Sequence, residues 1–302
     1  MKSLIHSFLI SLTLAAMTAT AAPISWGQLQ ALPLPAPVAH LAYGPLPMQF
    51  GELRIPKGQA PSKGFPVVVL IHGGCWLNAF DYLYFTRLAA ALTDAGIATW
   101  TIEYRRIGDE GGGWPNTFLD VAAATDHLRT LAKSNALDLH RVVTSGHSAG
   151  GHLALWLAAR PKLAKTSALF TAGKPLPIKA VVGLAAITDL MTYRVGEPGS
   201  CNSSVDQLMG GTPETEPQRY ADASPMQLLP LGVPQWLVQG EVDPIVSVYD
   251  AARYVNAATS AGDKALLITD AEAGHFDLAA PASPIGLQAV AAIKTALGIA
   301  KH

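Results

Sequence analysis

The stretch from Val142 to Ala159, VVTSGHSAGGHLALWLAA, constrains the fold more than any other part of this chain. A β-branched apolar run ends in a burst of glycines, and an alanine- and leucine-rich segment follows at once. The pattern predicts a buried strand over Arg141–Ser145, a very tight turn, and a helix over Ala149–Ala159 that Pro161 ends. Gly146 and Gly150 flank Ser148 because a Cβ at either position would collide across such a turn. Gly151 lets the new helix lie close to the strands. Ser148 therefore sits at a strained corner with its hydroxyl outward, at the carboxyl end of a strand, where parallel α/β sheets bind their ligands. The helix behind it contributes free N–H groups and positive potential.

The other segments agree with that corner. Pro66–Ile71 (PVVVLI) is a continuous apolar run, as for a strand buried on both faces. Met48–Ile55, Ile97–Ile102, Ala180–Leu184, Gln235–Val238 and Ala265–Thr269 are further strands. Phe85–Ala95, Thr117–Ala132, Ala251–Ala261 and Ile285–Leu297 have helical spacing. Alternating strands and helices predict an α/β fold, a mostly parallel central sheet with helices on both faces. Pro33–Pro47 is expected to be irregular. An insert from about Thr188 to Pro234, rich in Gly, Pro, Ser and Asn, reads as a short cap. With 302 residues, half of them hydrophobic, the chain can build the large core of one such domain. A formal net charge of −1 and the lack of a Lys/Arg cluster argue against a nucleic-acid partner.

The first 21 residues have the form of an export leader. Lys2 is the positive end, Phe8–Ala16 the apolar stretch, and Ala19-Thr20-Ala21 the small-residue cleavage site. The apolar run is short for a membrane span. The expected mature chain, 22–302, is a single domain starting near Ala22, exported to the periplasm or secreted, with no membrane association once the leader is gone. Cys75 and Cys201 fit either a bridge or two free thiols.

A serine hydroxyl needs a base to take its proton and a carboxylate to orient that base. Where a serine occupies this corner, the chain order is serine, acid, histidine. Beyond the helix that follows Ser148, only His275 and the terminal His302 remain, and His275 follows a strand in the loop AEAGHFDL. His147 and His152 are read as structural hydrogen-bonding residues. The acid should follow the preceding strand. Asp243, before Pro244, is preferred there, with Glu241 as the alternative. Upstream, His72-Gly73-Gly74 follows the buried strand, so that backbone N–H groups can approach a tetrahedral oxyanion. The N–H groups of Gly73, Gly74 and Cys75 all compete for that role. The two glycines are preferred, with Ala149, the residue after the serine, as the further donor. Trp76 at the rim either lines a substrate pocket or packs under the insert. Glu103, Arg105 and Arg106 either meet an anionic substrate or, as preferred, pair with each other and Asp120 to pin a loop.

With these motifs in hand, the chain resembles an α/β-hydrolase serine esterase. More narrowly, it is similar to the kynurenine formamidase-like and feruloyl-esterase-like carboxylesterases. The resemblance rests on AYGPLPMQFGELRIP, IHGGCW, EYRRIGDEGGGWP, GHSAGGHLALWLA, LVQGEVDPIVS and AGHFDL, from about Tyr43 to Leu278. It implies Ser148, Asp243 and His275 as a catalytic triad, with neither metal nor organic cofactor, acting on a small-molecule ester or amide through an acyl-enzyme. Cys75 stands where the hormone-sensitive-lipase-like group has a third glycine. A prolyl-oligopeptidase-like amidase, which this chain would be without the propeller, and a non-catalytic hydrolase-fold binding protein are the rival readings.

Overall fold

The computed structural model describes residues 22–196 and 199–299. The expected leader and the terminal His302 lie outside the described residues. Among those described, no helix is long and apolar enough to cross a membrane.

Eight strands form one sheet in the order β1-β2-β4-β3-β5-β6-β7-β8. They are β1 (His40–Ala42), β2 (Phe50–Arg54), β3 (Phe65–Ile71), β4 (Ala98–Ile102), β5 (Leu137–His147), β6 (Ala180–Leu184), β7 (Gln235–Gly240) and β8 (Ala265–Asp270). β1 and β2 run antiparallel at one edge, and every pairing from β4 to β8 is parallel. All seven residues of β3 are buried, as its unbroken apolar run requires of a central parallel strand.

Ten helices accompany the sheet among the described residues: α1 (Trp26–Ala31), α2 (Thr86–Asp94), α3 (Asn116–Asp126), α4 (Leu128–Leu131), α5 (Ala149–Ala159), α6 (Leu190–Tyr193), α7 (Asn202–Met209), α8 (Pro217–Ala223), α9 (Val248–Ser260) and α10 (Pro284–Ala296). α5 is apolar all round and all eleven of its residues are buried, as befits a helix covered on every side. It packs on β5 and β6 and against α3, while α10 packs with α2.

The structure departs from or adds to the sequence expectation at several points. The proline-rich 33–47 stretch contributes β1, which pairs with β2 through His40↔Glu52 to Ala42↔Phe50. The helix expected over Thr117–Ala132 is two, with His127 between α3 and α4. The insert expected as a short cap over about 188–234 folds into α6, α7 and α8. These helices are held by an Arg194–Asp206 ion pair of 2.7 Å and by the Tyr220 hydroxyl donating to Asp206. Ahead of them all, α1 carries a capping box between Ser25 and Gln28 that was not anticipated.

Candidate active site

β5 ends at His147, and Ser148 turns the chain into α5 with φ 57° and ψ −121°. A serine at positive φ is strained and persists only where its surroundings impose it. They do so by close approach. A Cβ on Gly146 would stand 2.1 Å from the Gly150 carbonyl oxygen, and one on Gly150 would stand 2.1 Å from that of Ile71. The Ser148 N–H donates to Leu184 O at 2.8 Å, which fastens the corner to β6.

Asp243 follows β7 and its side chain is fully buried. One carboxylate oxygen accepts the Ile245 and Val246 N–H groups at 2.7 and 2.9 Å. The other accepts Gln239 Nε2 at 3.0 Å and His275 Nδ1 at 2.8 Å. Burial pushes this carboxyl up, but the adjacent His275 and the backbone donors outweigh it and hold it below the usual carboxylate range. Glu241, the alternative acid, is exposed and has no bond to His275 among the described residues. Because Nδ1 donates to Asp243, the neutral His275 ring keeps Nε2 as its acceptor. His275 and Ser148 line the same pocket, with about 400 Å³ of empty space that is partly open to solvent.

The oxyanion expectation needs one correction. Gly73 packs against the elbow, but its N–H donates to the Tyr84 hydroxyl at 2.7 Å and is not free for a ligand. Gly74 and Cys75 have no backbone N–H acceptor among the described residues. Ala149, the first residue of α5, has an N–H with no intrahelical partner. The available donors are therefore Gly74, Cys75 and Ala149.

Trp76 is a second correction. Cys75 and Trp76 both have positive φ, 56° and 57°, and the chain turns inward there. Trp76 ends up fully buried, edge-on to His152 at 5.4 Å, and lines no part of the pocket. The wall is instead made by Trp26, Phe80, Tyr84, Ile245 and Phe276. Trp26 sits 5.4 Å from each of the Phe80, Tyr84 and Phe276 rings. Phe276, next to His275, could have been suspected from the sequence. Trp26 could not, because nothing local links a residue near the start of the described chain to a loop 250 positions on.

Cys75 is bonded to Cys201, joining the loop after β3 to the start of α7 in the insert. The Cys201 N–H donates to the Tyr193 hydroxyl, which donates to Ile245 O beside Asp243. Glu103, Arg105 and Arg106 pin a loop, as preferred from the sequence. Arg105 holds Asp120 through two bonds of 2.7 Å, Arg106 reaches Glu103 and Asp109, and Glu103 meets His72 at 2.8 Å. The remaining histidines behave as structural residues. Burial pushes His147 down to about 3 and His152 to about 4, so both stay neutral. Asp277 is buried and accepts the Gly274 and Ile24 N–H groups at 2.9 and 3.0 Å.

The BD-FAE family model matches residues 53–257. Esterase LipC from Mycobacterium tuberculosis (strain ATCC 25618 / H37Rv) is 25% identical over 218 residues, 72% of this chain and 53% of that protein. The chain thus spans about half the length of that curated relative. A truncated carbohydrate esterase from gut microbiota superposes with a TM-score of 0.74 at 19% identity, covering 88% of this chain and 97% of its own. Esterase B from Lactobacillus rhamnosis gives 0.72 at 19%, covering 86% and 85%. At these identities the two structures speak for the shared α/β-hydrolase fold.

Proposed function

The chain belongs to the BD-FAE family, and from that premise we propose that it is a serine carboxylesterase working through an acyl-enzyme on Ser148. The observation that carries the proposal is the Asp243–His275 bond, which leaves His275 Nε2 as a base in the pocket that holds Ser148.

In the proposed reaction, Ser148 Oγ attacks the ester carbonyl carbon while His275 Nε2 takes its proton. The carbonyl oxygen, now negative, receives the N–H groups of Gly74, Cys75 and Ala149. His275 then protonates the departing alcohol, and the acyl group stays on Ser148. Water repeats the sequence, giving its proton to His275 and its hydroxyl to the acyl carbon, and the serine is regenerated. Asp243 holds the ring in one tautomer and stabilises the imidazolium that forms. The aromatic wall and the disulfide beside the oxyanion loop suit a small ester, with short acyl groups preferred. Aryl formamides are the second substrate class of this reading.

The apolar run and small-residue site of residues 1–21 support export to the periplasm or beyond. The Cys75–Cys201 bond is consistent with an oxidising compartment. The test is a fluorophosphonate probe followed by a panel of p-nitrophenyl esters, aryl formamides and peptide amides. Labelling of wild type but not of Ser148→Ala, with esters turned over fastest, is expected. Equal labelling of both proteins refutes the assignment, and fastest turnover of peptide amides moves it to an amidase.

A further inference from the structure

Tyr84 and His147 lie beside the site with no part in the reaction just described, yet their polar atoms join three of its loops. The Gly73 N–H donates to Tyr84 Oη at 2.7 Å. Tyr84 Oη lies 3.0 Å from His147 Nδ1, and His147 Nε2 lies 2.9 Å from the His275 carbonyl oxygen. The direction of every bond follows from its partners. A carbonyl only accepts, so His147 Nε2 carries the hydrogen. The ring is neutral, so Nδ1 offers a lone pair, and burial keeps the Tyr84 phenol protonated to donate to it. One line of donation therefore runs from Gly73 through Tyr84 and His147 to the backbone of His275.

We propose that this line is a positioning relay, in which Tyr84 and His147 fix the His275 loop to the oxyanion loop across the nucleophile corner. The proposal rests on the reading of Ser148, Asp243 and His275 as the triad. Asp243 sets the orientation of the His275 ring, but the position of that ring depends on the backbone beneath it. His147 holds that backbone by its carbonyl, and the His147 and His275 rings lie 4.5 Å apart. At the other end, Gly73 directly precedes the donors Gly74 and Cys75, and a Cβ on Gly73 would meet His147 O at 2.5 Å. The relay thus sets the spacing between the base and the oxyanion donors. Both residues are buried, so a broken link leaves a polar atom without water to replace its partner.

The test is steady-state kinetics on a short p-nitrophenyl ester with Tyr84→Phe, His147→Leu, His147→Gln and the double variant Tyr84→Phe/His147→Leu, beside Ser148→Ala. Tyr84→Phe removes one oxygen and keeps the ring packing, so it remains informative where His147→Leu folds poorly. Misplacing reacting groups by an ångström costs up to about a hundredfold, so kcat should fall about tenfold or more in Tyr84→Phe and His147→Leu, with KM within about threefold of wild type. Glutamine supplies one donor and one acceptor at the end of its side chain, and His147→Gln should recover much of the loss. The double variant should be little worse than the poorer single one, because both break the same line. Wild-type kcat in Tyr84→Phe, single losses that multiply, or glutamine no better than leucine each overturn the relay while leaving the esterase reading standing. Activity surviving in Ser148→Ala overturns that reading, and the relay with it.

Discussion

The two walls of the Ser148 pocket are held by different forces. Ser148 and His275 on one side, with Asp243 buried behind His275, each follow a strand of the parallel sheet, and the Asp243–His275 pair is fixed by bonds of 2.7 to 3.0 Å to the backbone or to near neighbours. The opposite wall is assembled from pieces docked onto the sheet. Trp26 comes from the start of the described chain, Phe80 from the loop after Trp76, and Cys201 from the insert, held by ring contacts and one disulfide. Strand ends are held by the ladder on either side, so the residues that follow them have little freedom to move. Docked segments shape the cavity and tolerate change. Substitutions on the first wall should therefore remove the chemistry, and changes in the docked pieces that carry Trp26, Phe80 and Cys201 should alter stability and selectivity.

The largest effect belongs to the first wall. Ser148→Ala and His275→Ala should each lower kcat by about a thousandfold or more, and Asp243→Asn should be comparably severe, since such residues act as a unit. Stopped or steady-state assays on a short ester measure this. Near-wild-type turnover in either of the first two variants would reassign the nucleophile or base. Damage in Glu241→Gln with Asp243→Asn unharmed would move the acid.

The next effect tests how the second wall is tied down. The Cys75–Cys201 bond closes a loop across a sequence separation of 126 residues. Chain-entropy reasoning gives such a loop about 4–5 kcal/mol, and loss of native bridges costs about 2–5 kcal/mol. Reduction should lower Tm by roughly 10 °C. Fluorophosphonate should still label Ser148, because no bond to the Asp243 carboxylate or to the His275 ring comes from either cysteine side chain. An unchanged Tm on reduction, or loss of labelling at temperatures where the reduced protein is folded, would erase the distinction between the walls.

The difference between the walls also explains how far the sequence could be read. The elbow is legible because its glycines are a local necessity, and the sheet because β3 is an unbroken apolar run and Val142-Val143 of β5 lead straight into that elbow. His275 and Asp243 could be placed because each follows a strand that could itself be recognised. Gly73 was misjudged because its N–H is taken by Tyr84, eleven residues on, in a 3₁₀ turn at Tyr82–Phe85 with no clear signature. Trp76 stays open in the sequence, between pocket and packing, because two consecutive positive-φ residues turn it inward, a backbone path that composition does not reveal. Trp26 was invisible because its place depends on distant anchors: Ile24 to Asp277, and Arg87 to the carbonyls of Gln30, Leu32 and Pro33.

Buried histidines give a smaller effect that belongs to neither wall alone. His147 and His152 titrate at about 3 and 4 in the folded chain, against 6.5 for an unburied ring. As pH falls below 6.5 the unfolded chain takes up protons that the folded one refuses. Stability is thus full above that value and lost progressively on acidification through the range between the unfolded and folded values. Asp243, whose folded value is depressed, adds stability that is kept above its unfolded range and lost only at still lower pH. Urea melts from pH 7 to 5 should show this fall, and His152→Gln should flatten it. An unchanged slope in that variant would mean that His152 is protonated in the folded state.

The smallest effect probes the second wall directly. The Trp26 ring touches Phe80, Tyr84 and Phe276, and none of its atoms bonds Ser148, Asp243 or His275. Trp26→Ala removes an apolar surface that a bound acyl group would cover, while Leu29 and the Arg87 clamp keep α1 in place. The acetyl ester should lose about fivefold in kcat/KM, roughly 1 kcal/mol, through KM and not kcat. Butyryl and longer esters should lose less, because the opened wall admits more of the chain, so the preference for short acyl groups should narrow. The measurement is kcat/KM for acyl groups of two to sixteen carbons in wild type and variant. A drop in kcat at constant KM would place Trp26 with the chemical machinery. The division would then fail at its clearest point, since a docked segment would be setting the positions of reacting atoms.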